Sequence, residues 1–127
     1  MARAILNALD CPDGELSILI CNDKGIAELN SEYLHRKGPT NVIAFPMRDG
    51  NLPVINPDIL GDVVISIETA EREGKDTGTG MKKRFAELLI HGILHLFCYD
   101  HEKNRYQAEK MGKKAAELLK IVEGIAL

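Results

Sequence analysis

The sequence predicts an α+β fold, a small mixed β-sheet packed with helices around one long apolar helix. Three observations carry this expectation. Short runs of strand character at 15–21, 40–45 and 60–67 are interspersed with runs of helical period. The stretch Phe85-Ala-Glu-Leu-Leu-Ile-His-Gly-Ile-Leu-His-Leu-Phe97 is apolar on nearly every side, the mark of a buried helix. The chain's 127 residues, 45% of them hydrophobic, suit a single domain, 1–127, with one core and no repeat or linker.

Taken in order, residues 2–9 read as a short helix with Ile5 and Leu6 inward, followed by the turn Cys11-Pro-Asp-Gly14. Glu15–Cys21 places Leu16, Ile18 and Ile20 on one face and Ser17, Leu19 and Cys21 on the other, a strand partly buried on both faces. Asn22 or Asp23 caps the next helix, whose inward positions are Ile26, Leu29 and Tyr33. His35-Arg-Lys-Gly-Pro39 breaks that helix as a basic loop. Thr40–Phe45 is a second strand, which Pro46 either ends or places at an edge. Residues 47–60 form a loop, with or without a hairpin arm. Leu60–Ile67 is a third strand. Ile67–Arg72 opens a helix, and 74–80 reads as a Gly/Thr-rich surface loop. Met81 starts the central helix and Tyr99-Asp100 ends it. Residues 103–122 form the last helix, with Met111, Ala115, Leu118, Leu119 and Val122 on one face and Gly124 as its C-cap.

Composition narrows the class further. No apolar run reaches transmembrane length, and Met1–Asp10 is too short and interrupted for a signal peptide, so no membrane association is expected. Cys11, Cys21 and Cys98 are odd in number and form no C-x-x-C pair, which fits reduced thiols in the cytoplasm. The net charge of −3 is unevenly spread: residues 1–80 are acidic, while the half from Met81 onward carries nine Lys/Arg against six Asp/Glu. Lys82, Lys83 and Arg84, with the lysines that follow the histidines, either attract phosphates or form a solvated helix face.

Three of the four histidines fall in His91-Gly-Ile-Leu-His95-Leu-Phe-Cys-Tyr-Asp-His101. On a helix, His91 and His95 at i and i+4 stack on one face, the spacing with which two imidazoles grip one metal ion. A chain that turns back near Cys98 brings His101 to the same ion. Three protein ligands leave a fourth tetrahedral position open, the catalytic form of a zinc site. Zn2+ is the expected ion, one per chain, although nickel, copper and cobalt accept the same ligands. The spacing equals that of the zinc-protease motif H-E-x-x-H-x-x-G-x-x-H, but Gly92 stands where those proteases carry their glutamate base. Gly92 itself implies close approach, either by substrate or another backbone or by tight helix packing.

His91-Gly92-x-Leu94-His95-Leu96-x-x-Tyr99-Asp100-His101 resembles the H-G-x-L-H-L-x-G-Y-D-H signature of the YbeY family, metal-dependent bacterial endoribonucleases of rRNA maturation. Thr40-Asn41-Val42-Ile43-Ala44-Phe45-Pro46 and Gly61-Asp62-Val63-Val64-Ile65-Ser66 resemble two further family patterns, in the family's order. The resemblance implies a compact, zinc-hydrolase-like α+β fold. The activity it implies is single-strand-specific cleavage of RNA, in late maturation of the 3′ end of 16S rRNA and in ribosome quality control. The implied partners are single-stranded RNA and the small ribosomal subunit. The readings that compete with this are a metalloprotease-like zinc hydrolase and a non-enzymatic ribosome-assembly factor. The chain departs from the pattern at Cys98, where the family has glycine, and at Leu34, where many members carry an arginine after the tyrosine.

Phosphodiester hydrolysis needs positive charge on the developing phosphorane oxygens. Arg36, two residues beyond the family's arginine position, is the candidate catalytic residue. His35 beside it is either an acid–base group or simply exposed. Thr40 and Asn41 either donate to phosphate or cap the strand. Asp100 either orients a ligand imidazole or caps the following helix. Glu87, one turn before His91, either serves the site or pairs with Arg84 or Lys83.

Overall fold

The computed structural model describes residues 1–47, 58–97 and 104–124. In chain order it contains α1 (Ala2–Ala8), β1 (Glu15–Cys21), α2 (Asp23–Leu34), β2 (Val42–Pro46), β3 (Ile59–Ser66), α3 (Ile67–Thr77), α4 (Met81–Leu96) and α5 (Arg105–Glu123). The strands form one mixed sheet in the order β1-β3-β2, with β1 parallel and β2 antiparallel to β3. This is the α+β architecture that the sequence predicts.

β3 is the central strand, and its sequence shows why. Leu60, Val63, Val64 and Ile65 are buried, so both faces are apolar. Val63 and Ile65 join the main core with Ile5, Leu6, Leu89, Ile93, Leu118 and Val122. Val64 faces the other way, into a smaller core with Ile43 and Ile26 of α2. Gly61 adopts φ +138, and a Cβ there would lie 2.2 Å from the Phe45 carbonyl oxygen, so only glycine lets β2 run so close. Backbone bonds from Met47 N to Leu60 O (2.9 Å) and from Ser66 N to Asn41 O (3.0 Å) extend the β2–β3 pairing at both ends. Pro46 ends β2 on the sheet edge, as a residue without an N–H requires.

Several expectations need correction. β1 is partly buried on both faces, through Leu16 against the main core and Cys21 against the smaller one, but it is an edge strand whose middle residues Ile18, Leu19 and Ile20 are exposed by 39%, 51% and 53%. Tyr33 is not inward but 59% exposed, packed edge-to-face on Phe45 at 5.7 Å, and the buried residue of that turn of α2 is Asn30. Residues 74–77 are not loop. α3 continues through them to Thr77, because Gly74 lies against the Gly80 carbonyl, 2.4 Å from where its Cβ would be. The second and third strands sit one or two residues away from their expected bounds, and α5 begins at Arg105 with Asn104 capping Gln107 N at 2.8 Å. Residues 48–57, the middle of the expected 47–60 loop or hairpin arm, lie outside the described residues.

One polar node ties α2 to β3 and α3. Asn22 caps α2 by accepting from Gly25 N at 2.8 Å, and Asp23 then reaches across to β3 and α3. Its carboxylate accepts from Ser66 Oγ at 2.6 Å, Thr69 Oγ1 at 2.5 Å and Arg72 Nη1 at 3.1 Å. The Ser66 hydroxyl first, then Thr69 and the Arg72 guanidinium, hold the Asp23 carboxyl below the usual carboxylate range. A depressed folded-state pKa adds stability above the unfolded value of about 3.9, and this is lost as pH falls through the folded pKa. Asp23→Asn should therefore lower the melting temperature at neutral pH and flatten its fall through the acid range. Melting curves of the two proteins from pH 6 to pH 2 test this; parallel curves would show that Asp23 contributes nothing by ionisation.

Candidate metal centre and cleft

α4 buries Ala86, Leu88, Leu89, Ile90, Ile93, Leu94 and Leu96, while His91 and His95 are only half-buried on its remaining face. Their rings meet edge to face, with centroids 4.6 Å apart, and their Nε2 atoms lie 3.0 Å from each other. At that separation either one ring donates an N–H to the other, or both lone pairs turn toward one cation. Two nitrogens held tetrahedrally by zinc at about 2.0–2.1 Å lie about 3.3 Å apart, so the pair fits that ion with a shift of a few tenths of an ångström. Among the described residues no third His, Cys, Asp or Glu joins them. His101, the expected third ligand, lies outside the described residues, as do Cys98, Tyr99 and Asp100. α4 ends at Leu96 with Phe97 as its C-cap, short of the Tyr99-Asp100 end that the sequence suggests.

Gly92 is the contact between α4 and the sheet. A Cβ at this position would come within 2.6 Å of Val63 Cγ1 and 3.2 Å of Val42 Cγ2. The geometry supports tight helix packing, and Gly92 also borders the cleft lined by the two histidines. The same contact leaves no room for a glutamate at the position of the protease base.

The wall facing the histidines is made by β2 and the loop before it. Arg36, Thr40, Asn41, His91 and His95 line one cleft of about 520 Å3. Leu34, at the position of the family's arginine, lines it too. His35 is the exposed C-cap of α2, in the left-handed conformation (φ 55), and does not line the cleft. Asn41 donates its side-chain amide to Glu73 at 3.3 Å and gives its backbone carbonyl to Ser66, so its donor holds the strand end in place. Glu87 pairs with Arg84 at 3.7 Å, the plainer of its two readings.

Two positioning residues were not expected from the sequence. Asn30, buried in α2, accepts Arg36 N on its backbone carbonyl at 3.2 Å and donates Nδ2 to the Gly38 carbonyl at 3.0 Å, pinning the loop that carries Arg36. Its one signal is an asparagine one helical turn after Ile26 on an otherwise apolar face. Glu73 accepts from Asn41 and from Arg84 Nε at 3.0 Å. The cations of the basic half are partly committed within the fold: Arg84 to Glu73 and Glu87, Lys83 to Glu123 at 4.0 Å, and Lys114 to Glu117 at 3.5 Å.

Gly92→Ala should lower stability by about 1–3 kcal/mol, the usual cost of overpacking, through loss of the α4–sheet fit. Adding Val63→Ala should recover part of that loss. A double-mutant cycle in urea checks the coupling, and strictly additive effects would rule out the Gly92–Val63 contact as the cause.

A family model described as Endoribonuclease YbeY matches residues 1–123. Endoribonuclease YbeY of Geobacter metallireducens is 47% identical over 124 residues, covering 97% of this chain and 83% of the relative. That of Geobacter sulfurreducens is 44% identical with the same coverage. That of Aquifex aeolicus is 41% identical over 109 residues, covering 86% of this chain and 71% of its own. The fold is similar to the solution structure of TM1509 from Thermotoga maritima, with a TM-score of 0.70 at 24% identity, over 97% of this chain and 77% of that one. With the histidine spacing, the Gly92 contact and strands β2 (Val42–Pro46) and β3 (Ile59–Ser66) in place, the chain belongs to the YbeY endoribonuclease family.

Proposed function

We propose that the chain is a zinc-dependent endoribonuclease that cleaves single-stranded RNA in rRNA maturation, acting in the cytoplasm on the small ribosomal subunit. Endoribonuclease activity rests on membership of the family. The observation that carries the site assignment is the shared cleft of Arg36, His91 and His95. His91 and His95 would hold the ion with His101. When bound, the ion supplies Lewis acidity and an activated water near neutral pH. Among the described residues no helix is long and apolar enough to cross a membrane.

The chain's own groups divide the remaining work. The Arg36 guanidinium, on a loop pinned by Asn30, faces the cleft opposite the histidines and neutralises phosphate oxygens as charge develops there. Asn30 acts through the backbone of that loop and is a positioning residue. The α4 face and the β2 wall bracket the substrate phosphate and limit water access from those two sides. The protease reading fails at Gly92, where valine side chains occupy the space of the missing base.

Elemental analysis of protein purified without chelators should find about one divalent ion per chain. His91/His95/His101→Ala should carry none, since metal affinity resides in those imidazoles. A wild-type protein that neither retains nor takes up zinc would end the metal reading. Given metal-loaded protein, single-stranded RNA should be cleaved and casein-derived peptides left intact. Arg36→Ala should lower the turnover of RNA about ten- to a thousand-fold with little change in affinity. Unchanged turnover would remove Arg36 from the site, and equal losses of binding and turnover would make it a residue that positions phosphate.

A further inference from the structure

Beyond Asn41 and His91, on the side away from Arg36, a second groove of about 410 Å3 opens between α4 and α5. Asn41, Val42 and His91 line both the groove and the cleft, so the two share one wall. A polymer lying across His91 therefore reaches both. The groove's volume falls in the range of about 300–1,000 Å3 usual for ligand sites.

α5 leaves this space open by presenting Gly112, Ala115 and Ala116 toward it. Gly112 has no packing reason to be glycine. A Cβ there meets nothing within 4 Å among the described residues, whereas at Gly92 and Gly74 it would strike neighbouring atoms. A glycine in the middle of a helix weakens it, so the empty volume asks for another explanation.

The polar groups indicate what the space accepts. Arg84 is neutralised by Glu73 at 3.0 Å and Glu87 at 3.7 Å, and this pair of carboxylates against one guanidinium repels a phosphate. Asn41 turns its donor half to Glu73, which leaves its carbonyl half as an acceptor. Glu87 is a second acceptor, and Leu88 and Leu119 supply apolar surface. Acceptors beside an apolar floor match a flat base that carries an exocyclic amino group, as adenine, cytosine and guanine do and uracil does not.

We propose that the α4–α5 groove binds a nucleobase of the RNA whose phosphate lies in the Arg36 cleft, and favours amino-bearing bases over uracil. This rests on the endoribonuclease reading and adds the base selectivity of the same site.

The test uses four single-stranded oligoribonucleotides that differ only in a central block of A, C, G or U, offered to the metal-loaded protein. Wild type should cleave and bind the A, C and G substrates about ten-fold better than the U substrate, as one base-edge contact allows. Ala116→Leu and Gly112→Leu fill the groove and should erase the preference, with bound metal at the wild-type level. Glu87→Gln keeps the volume and removes the carboxylate charge, so it should shrink the preference even where a leucine variant fails to fold. Equal use of all four RNAs by wild type, or a preference that survives in these variants, overturns the groove while the endoribonuclease reading stands. No binding or cleavage of any RNA by the wild type would overturn both.

Discussion

The seating of α4 on the sheet at Gly92 is the constraint on which the rest of the site depends. With no side chain there, the helix comes within touching distance of Val63 and Val42, and β2 is drawn alongside the histidine face. Thr40, Asn41 and Arg36 thereby reach the same cleft as His91 and His95. The same contact closes off the position from which a zinc protease takes its base. One missing side chain thus brings the two walls of the cleft together and keeps a glutamate from that position. The histidines stand on a helix buried over most of its surface, which keeps them where the fold puts them.

What was legible in the sequence was mostly local. The i, i+4 histidines, the apolar α4 and the Pro46 edge are each fixed by neighbours a few residues away. The resemblance to a known family supplied the order of the blocks. What was not legible depended on partners distant in sequence. An apolar strand such as β1 reads the same at the edge of a sheet as within it, and only the order β1-β3-β2 exposes Ile18, Leu19 and Ile20. The Gly/Thr-rich stretch after Glu73 reads as a loop by propensity, and the backbone of Gly80 against Gly74 keeps it helical. Asn30 and Glu73 gave little signal because their partners lie on the next loop and the next helix.

Charge tells a similar story. The excess of cations after Met81 suggests a phosphate-binding face, but Arg84 and Lys83 have carboxylate partners within the fold. The candidate phosphate contact with the clearest placement, Arg36, lies in the acidic half of the chain. Local surroundings decide how a cation is used, and a running sum along the sequence does not report them. On the α5 side of His91 the one guanidinium, Arg84, is shared between two carboxylates, Glu73 and Glu87.

The parallel pairing of β1 with β3 bears on the order of assembly. Leu16 meets Gly61 and Cys21 meets Ser66, contacts that each close a loop of about 45 residues, whereas the β2–β3 contacts close loops of about 20 residues. The longer closure costs only about 1 kcal/mol more in chain entropy. The partially buried, edge-lying β1 has less apolar contact with which to offset it than β2, which packs on α4 through Val42 and Ala44. The stretch from Val42 to Leu96 holds the shorter β2–β3 closures, and it carries His91, His95 and one wall of their cleft. Within the sheet β1 pairs with β3 alone, so the N-terminal strand has no place in the sheet without β3 beside it.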